Sequence, residues 1–151
     1  MKIKFTVPGE PKGKGRPRFN TYTKATYTTK ADKLREANIR YYARHAYPHD
    51  PIDEPCAVEI VAYFPVRKSY TKKRIKACLT GEELPAKKPD VDNIAKQVLD
   101  GLNPSKTQLG LYTDDKLVVK HSVTKIYDED PRLEITVTWG EELKELLKEV
   151  G

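Results

Sequence analysis

One stretch, Lys88 to Lys120, constrains this chain more than any other. Ile94, Ala95, Val98, Leu99 and Leu102 recur at helical spacing and form a single apolar stripe. Asp92 is placed to cap a helix running from Asn93 to Leu102; Gly101 is a weak link near its end, and Asn103-Pro104 stops it. Asp92, Lys96 and Asp100 follow one another at every fourth residue, so they share a face. Asp90 and Asp92 stand at the helix entrance, where backbone N–H groups favour negative charge. After a connector, Asp114-Asp115 opens an apolar strand whose start is expected beside that entrance. Asp90, Asp92 and one of the later pair then converge on one metal site, since hard oxygen ligands suit Mg²⁺. The plainer reading is a capped helix with an Asp–Lys–Asp ion-pair stripe and a polar turn behind it.

These carboxylates interrupt a chain that is otherwise basic, with a net charge of +6 and a pI of about 9.2. That balance favours a polyanionic partner, although charge alone does not separate nucleic acid from a membrane surface. No apolar run reaches membrane-spanning length, and residues 2–7 alternate too strictly for a signal peptide. Cys56 and Cys78 lack metal-type spacing and read as reduced thiols, which points to the cytoplasm. The 151 residues suit one domain, 1–151, with its own core.

Two segments concentrate positive charge. From Pro11 to Ala31 there are Lys12, Lys14, Arg16, Arg18, Lys24 and Lys30 with no acid among them, interleaved with Phe19, Tyr22 and Tyr27. Gly13, Gly15 and Pro17 exclude a regular helix there. Such a loop is either solvated and mobile or grips phosphates, with its aromatics packed on the body or stacked on unpaired bases. It can follow a DNA backbone but cannot hold a rigid ligand set, so it is kept apart from the metal site. The second segment, Arg67 to Cys78, offers Lys72, Lys73 and Lys76 on a short helix capped by Ser69 or Thr71. It is a solvated face or a further DNA contact.

The remaining elements frame these segments. Ile3, Phe5 and Val7 alternate in a first strand, and Cys56 to Phe64 alternates in a second. Thr29-x-x-Asp32 starts a helix reaching about Ala46, with Ala31, Leu34, Ala37 and Tyr41 inward and Lys33, Arg35, Arg40 and Arg44 outward. Leu117 to Tyr127 and Leu133 to Trp139 are expected as an antiparallel pair, followed by a helix from Glu141 to Val150. His121 is read as a packed side chain. The order predicts an α+β fold: a small mixed sheet with helices packed on one face.

Several of these motifs together resemble one family. Lys88-Pro89-Asp90-Val91-Asp92-Asn93, Lys96, Leu99-Asp100-Gly101-Leu102-Asn103 and Asp114-Asp115 closely resemble the RusA Holliday junction resolvases, phage and prophage endodeoxyribonucleases. Pro11 to Phe19, with Tyr27 to Lys30, looks like the basic loop that many members carry after their first strand. The resemblance spans roughly the whole length. It implies Mg²⁺-dependent cutting of four-way DNA junctions, with Mn²⁺ as an alternative cation, by a homodimer. It implies Asp90, Asp92 and Asp115 as catalytic metal ligands, with Asp114 as the alternative to Asp115, and Lys96 as a catalytic or phosphate-binding lysine. The DNA-binding set expected with it is Lys12, Lys14, Arg16, Arg18, Lys72, Lys73 and Lys76. A DNA-binding protein without catalysis stays open, as does a sugar-nucleotide transferase using Asp-x-Asp. No Gly-rich strand–helix turn offers the latter a nucleotide cradle.

Overall fold

The structure is a computed structural model and describes residues 1–15 and 18–151. Strand β1 (Lys2–Pro8) leads into a short antiparallel ribbon, β2 (Arg18–Phe19) with β3 (Thr26–Tyr27), and then into α1 (Lys30–Ala46). Strand β4 (Cys56–Pro65) is followed by α2 (Lys72–Leu79) and α3 (Val91–Leu102). A 3₁₀ turn (Asp115–Leu117), β5 (Val118–Asp128), β6 (Arg132–Trp139) and α4 (Glu141–Leu147) complete the chain. The fold is α+β: a mixed four-stranded sheet ordered β1-β6-β4-β5, with α1 and α3 packed together against it.

The core follows from alternation. Cys56, Val58, Ile60, Ala62 and Phe64 all turn inward on β4, and Leu133, Ile135, Val137 and Trp139 turn inward on β6. The register sets Val58 beside Val137 and Ile60 beside Ile135, so the two apolar rows mesh. Ile94, Val98 and Leu102 seal the row from α3, each contributing about 1.5–3 kcal/mol by burial.

The expected β5–β6 hairpin does not form. β6 crosses to the far side of β4, lying antiparallel to both β4 and β1, while β5 runs parallel to β4 at the sheet edge. The reason is compositional. β6 carries an unbroken apolar row fit for the interior, whereas β5 presents exposed His121, Ser122 and Thr124, which suit an edge. His121 is accordingly exposed, not packed. The parallel β4–β5 pairing requires a long crossover, and α2 and α3 supply it.

Helix α1 also turns a different face inward. Its buried residues are Asp32, Ile39, Arg40 and Ala43, while Ala31, Leu34 and Tyr41 are exposed. The inward face is partly polar because it must meet the end of α3. Arg40 is only 6% exposed. Its guanidinium donates to the carbonyl oxygens of Asn103 (Nε, 2.6 Å) and Asp100 (Nη2, 3.3 Å) at the α3 C-terminus, where carbonyls outnumber intrahelical donors. Thr29 caps α1 and Thr71 caps α2 through their side-chain oxygens.

Candidate active site and nucleic-acid interface

The entrance of α3 is set by Asp90, not Asp92. Asp90 Oδ1 accepts the Asn93 N–H at 2.9 Å, so the helix starts two residues earlier than the sequence suggests. With Ile94, Ala95, Val98 and Leu102 buried, the helix cannot rotate, and Asp92, Asn93 and Lys96 are left facing solvent. Asp90 and Asp92 thus sit at the positive end of the helix dipole, with Lys96 one turn further on. Among the described residues, Asp92 and Lys96 have no side-chain hydrogen bond or ion pair, which leaves both available to a ligand.

The later acidic pair lies at the other end of the same helix. Tyr112 is fully buried and donates its hydroxyl to the Leu99 carbonyl at 2.6 Å, fixing the returning chain against the last turn of α3. Asp114 caps the 3₁₀ turn by accepting the Lys116 N–H at 2.8 Å, and that backbone bond holds its carboxyl below the usual range. Asp115 turns toward α3 and accepts from Asn103 Nδ2 at 3.0 Å. A helix of 12 residues is about 18 Å long, so Asp115 is separated from Asp90 and Asp92 by roughly that span. The structure therefore does not bring the three carboxylates together within one chain. Among the described residues, no three His, Cys, Asp or Glu side chains gather as a metal ion requires. The strand start lies beside the helix exit because β5 begins there and runs back along α3, so that Lys125 Nζ reaches the Lys87 carbonyl near the entrance.

Asp100 does not join an Asp–Lys–Asp stripe either. Its partner is Lys14, whose ammonium is held between Asp100 and Glu36 of α1, 2.9 Å from the latter. Burial alone would lower the Lys14 pKa, but bonds to Asp100 and Glu36 outweigh it and raise the group above its ordinary value. Lys14 is thus committed to protein carboxylates. The root of the basic segment is fastened at further points: Lys14 N–H donates to the Asn93 carbonyl at 3.1 Å, and Gly15 N–H to Asp32 Oδ2 at 3.2 Å. A Cβ on Gly13 would lie 2.8 Å from Asn93 Cβ and 2.9 Å from Pro89 Cβ, so only glycine lets the chain pass this close to the α3 entrance. The loop that the sequence sets apart from the acidic entrance is docked against it. Glu36, and the bond that Asp32 accepts from Gly15, escape a reading by spacing because the partners come from another element.

Beyond that root, Lys12 and Arg18 are exposed; Arg16 lies outside the described residues. On α2, Lys72, Lys73 and Lys76 are exposed, while Arg74 is taken up by Glu83 (3.2 Å) and lies over the Tyr70 ring. The site therefore presents exposed carboxylates at a helix entrance, a lysine one turn along, and basic surface fastened beside them.

Residues 8–138 match the family described as Endodeoxyribonuclease RusA. The chain is also 36% identical over 140 residues to a Bacillus subtilis (strain 168) protein titled "Uncharacterized protein YqaN", covering 89% of this chain and 94% of that one.

Proposed function

This chain belongs to the RusA endodeoxyribonuclease family, and on that premise we propose that it resolves four-way DNA junctions by paired, symmetric nicks, as a divalent-metal-dependent homodimer. The observation that carries this reading is the α3 entrance: Asp90 and Asp92 exposed on a fixed helix, with Lys96 one turn on and the basic segment docked against Pro89 and Asn93. Basic residues offset phosphate charge, and Lys96 stands where it can contact the backbone beside the carboxylates.

One chain alone does not fit a three-carboxylate centre, because Asp115 is at the helix exit. A two-fold partner solves this. If two copies set their α3 helices antiparallel, the entrance of each faces the exit of the other. Asp90 and Asp92 of one copy then meet Asp115 of its partner, and the pair carries two equal sites. A four-way junction has the same two-fold symmetry, so two matched cuts follow from the assembly. Mg²⁺, or Mn²⁺ as the alternative, is the cation such a site would hold. The separation of the carboxylates within one chain is also what favours a second reading, a basic DNA-binding protein without catalysis.

A nicking assay decides between them. Four-way junctions labelled on each strand in turn are incubated with Mg²⁺ or with chelator, beside a linear duplex. The expected result is metal-dependent cutting of the junction at symmetric positions, with the duplex spared. Asp92→Asn is expected to slow cutting by roughly a hundredfold or more while keeping junction binding. Asp92 is the better probe than Asp90, whose carboxylate also caps α3. Binding without cutting at any metal concentration would establish the second reading.

A further inference from the structure

The basic segment contains a built feature that its composition conceals. β2 and β3 form a separate ribbon that pairs with no strand of the main sheet. Its tip is closed by its own polar groups. Asn20 Oδ1 accepts the N–H groups of Tyr22 (2.8 Å) and Thr23 (3.2 Å), Asn20 N–H donates to the Ala25 carbonyl (2.8 Å), and Lys24 N–H donates to the Asn20 carbonyl (2.7 Å). Lys24 takes a φ of 56° to complete the turn, a left-handed conformation that few side chains adopt. The tip thus holds its shape without help from its aromatic side chains. Those side chains face water: Tyr22 is 96% exposed, Phe19 57% and Tyr27 48%. Of the two fates open to these aromatics, packing on the body is not the one realised.

We propose that this ribbon is a base-stacking probe, with Tyr22 at its tip resting on bases left unstacked at the branch of a DNA junction, flanked by Phe19 and Tyr27. Arg18, Lys24 and Lys30 are exposed and interleave with the aromatics along the chain, and no carboxylate lies between Pro11 and Ala31, so the segment complements a polyanion. Aromatic faces stack on any base, whereas paired bases within a duplex offer no open face. The ribbon therefore discriminates branched from linear DNA without reading sequence. Gly13 and Gly15 hold the start of the same segment against the α3 entrance and α1, so the chain sets out toward the probe from beside Asp90 and Asp92. The inference rests on the branched-DNA reading above.

The test measures affinity in chelator, so that no cutting intervenes, for a four-way junction, a linear duplex of the same sequence and single-stranded poly(dT). Tyr22→Ala and Tyr22→Leu are expected to weaken junction binding roughly tenfold. Tyr22→Trp should retain it, and duplex affinity should stay within about twofold for every variant. Equal losses on junction and duplex, or rescue by leucine as well as tryptophan, would overturn stacking. So would a change of oligomeric state in Tyr22→Ala by sedimentation without DNA, since Tyr22 would then be a subunit contact. A wild-type protein with no preference for junction over duplex would instead defeat the branched-DNA reading. The probe is then judged on poly(dT), where an unaffected Tyr22→Ala would overturn it and a tenfold loss would sustain it.

Discussion

At Gly101 the chain shows how local propensity misleads. In the middle of an exposed helix a glycine costs about 1 kcal/mol against alanine, and on that basis Gly101 reads as a flaw near the end of α3. In the fold it is the contact point between α3 and α1. A Cβ there would lie 2.8 Å from Ile39 Cβ, 2.9 Å from Ile39 Cγ2 and 3.3 Å from the Glu36 carbonyl oxygen. Gly101→Ala sets the propensity gain of about 1 kcal/mol against an overpacking cost of about 1–3 kcal/mol. The expected outcome is net destabilisation, visible as a lower urea midpoint. A midpoint above wild type would mean that the two helices separate at little cost. Arg40 was illegible for a related reason. A guanidinium at a core position contradicts the apolar stripe unless its acceptors, the Asn103 and Asp100 carbonyls, are already known. By contrast, Thr29 was legible as a cap and Thr71 as one of two candidates with Ser69, because a cap lies close in sequence to the groups it satisfies; at α3 the same proximity left Asp92 and Asp90 to be confused.

Elements were legible where one periodicity held without interruption. The inward rows of β4 and β6 and the stripe of α3 lie where their spacing places them. The pairing of strands was not, because the turn at Asp128–Pro131 limits how the chain reverses but not which neighbour it meets. The root of the basic segment was the hardest part to read, since its order comes from contacts distant in sequence. Asp32 illustrates this: it is 1% exposed and holds Gly15 N–H together with Arg35, 2.5 Å away. Burial alone would raise its pKa, but the bonds from Thr29, Arg35 and Gly15 outweigh that and place it below the ordinary carboxylate value. A carboxyl whose folded pKa is depressed adds stability that is fully present above its unfolded pKa, about 3.9, and is lost as pH falls through the folded value. Acidification through that depressed folded value is therefore expected to release the loop root. Unfolding free energies measured from about pH 6 to pH 2 should fall less steeply in Asp32→Asn than in wild type, and the protection of the Gly15 amide, taken against its intrinsic exchange rate at each pH, should fall in acid only for the wild type. Equal acid slopes would show that Asp32 is not what fastens the loop.

For the whole molecule, the residues of the candidate site were legible one by one, but their arrangement was not. Sequence spacing places Asp90 and Asp92 at one helix terminus, and says nothing of where a chain that leaves the other terminus will turn. The structure puts Asp115 beside Asn103, at the exit of α3. On the proposed assembly, the unit of function is then the pair of chains, which makes a sharp prediction about mixing. Asp92→Asn and Asp115→Asn are each expected to be inactive as homodimers. In a mixed dimer, one composite site receives both substitutions, the entrance change from the first variant and the exit change from the second, and is dead. The other takes Asp90 and Asp92 from the second variant and Asp115 from the first, and is intact. Co-refolded mixtures should therefore regain metal-dependent nicking. About half of randomly paired dimers are mixed, each with one working site of two, so the rate should approach about a quarter of wild type by the symmetry of the pair. The products should be single nicks and not paired cuts. If each site were built within one chain, every site in every dimer would carry a substitution and no mixture would recover. Failure to recover, in mixtures shown by sedimentation to contain dimers, would place the site within a single chain and require Asp115 to leave Asn103 before cutting.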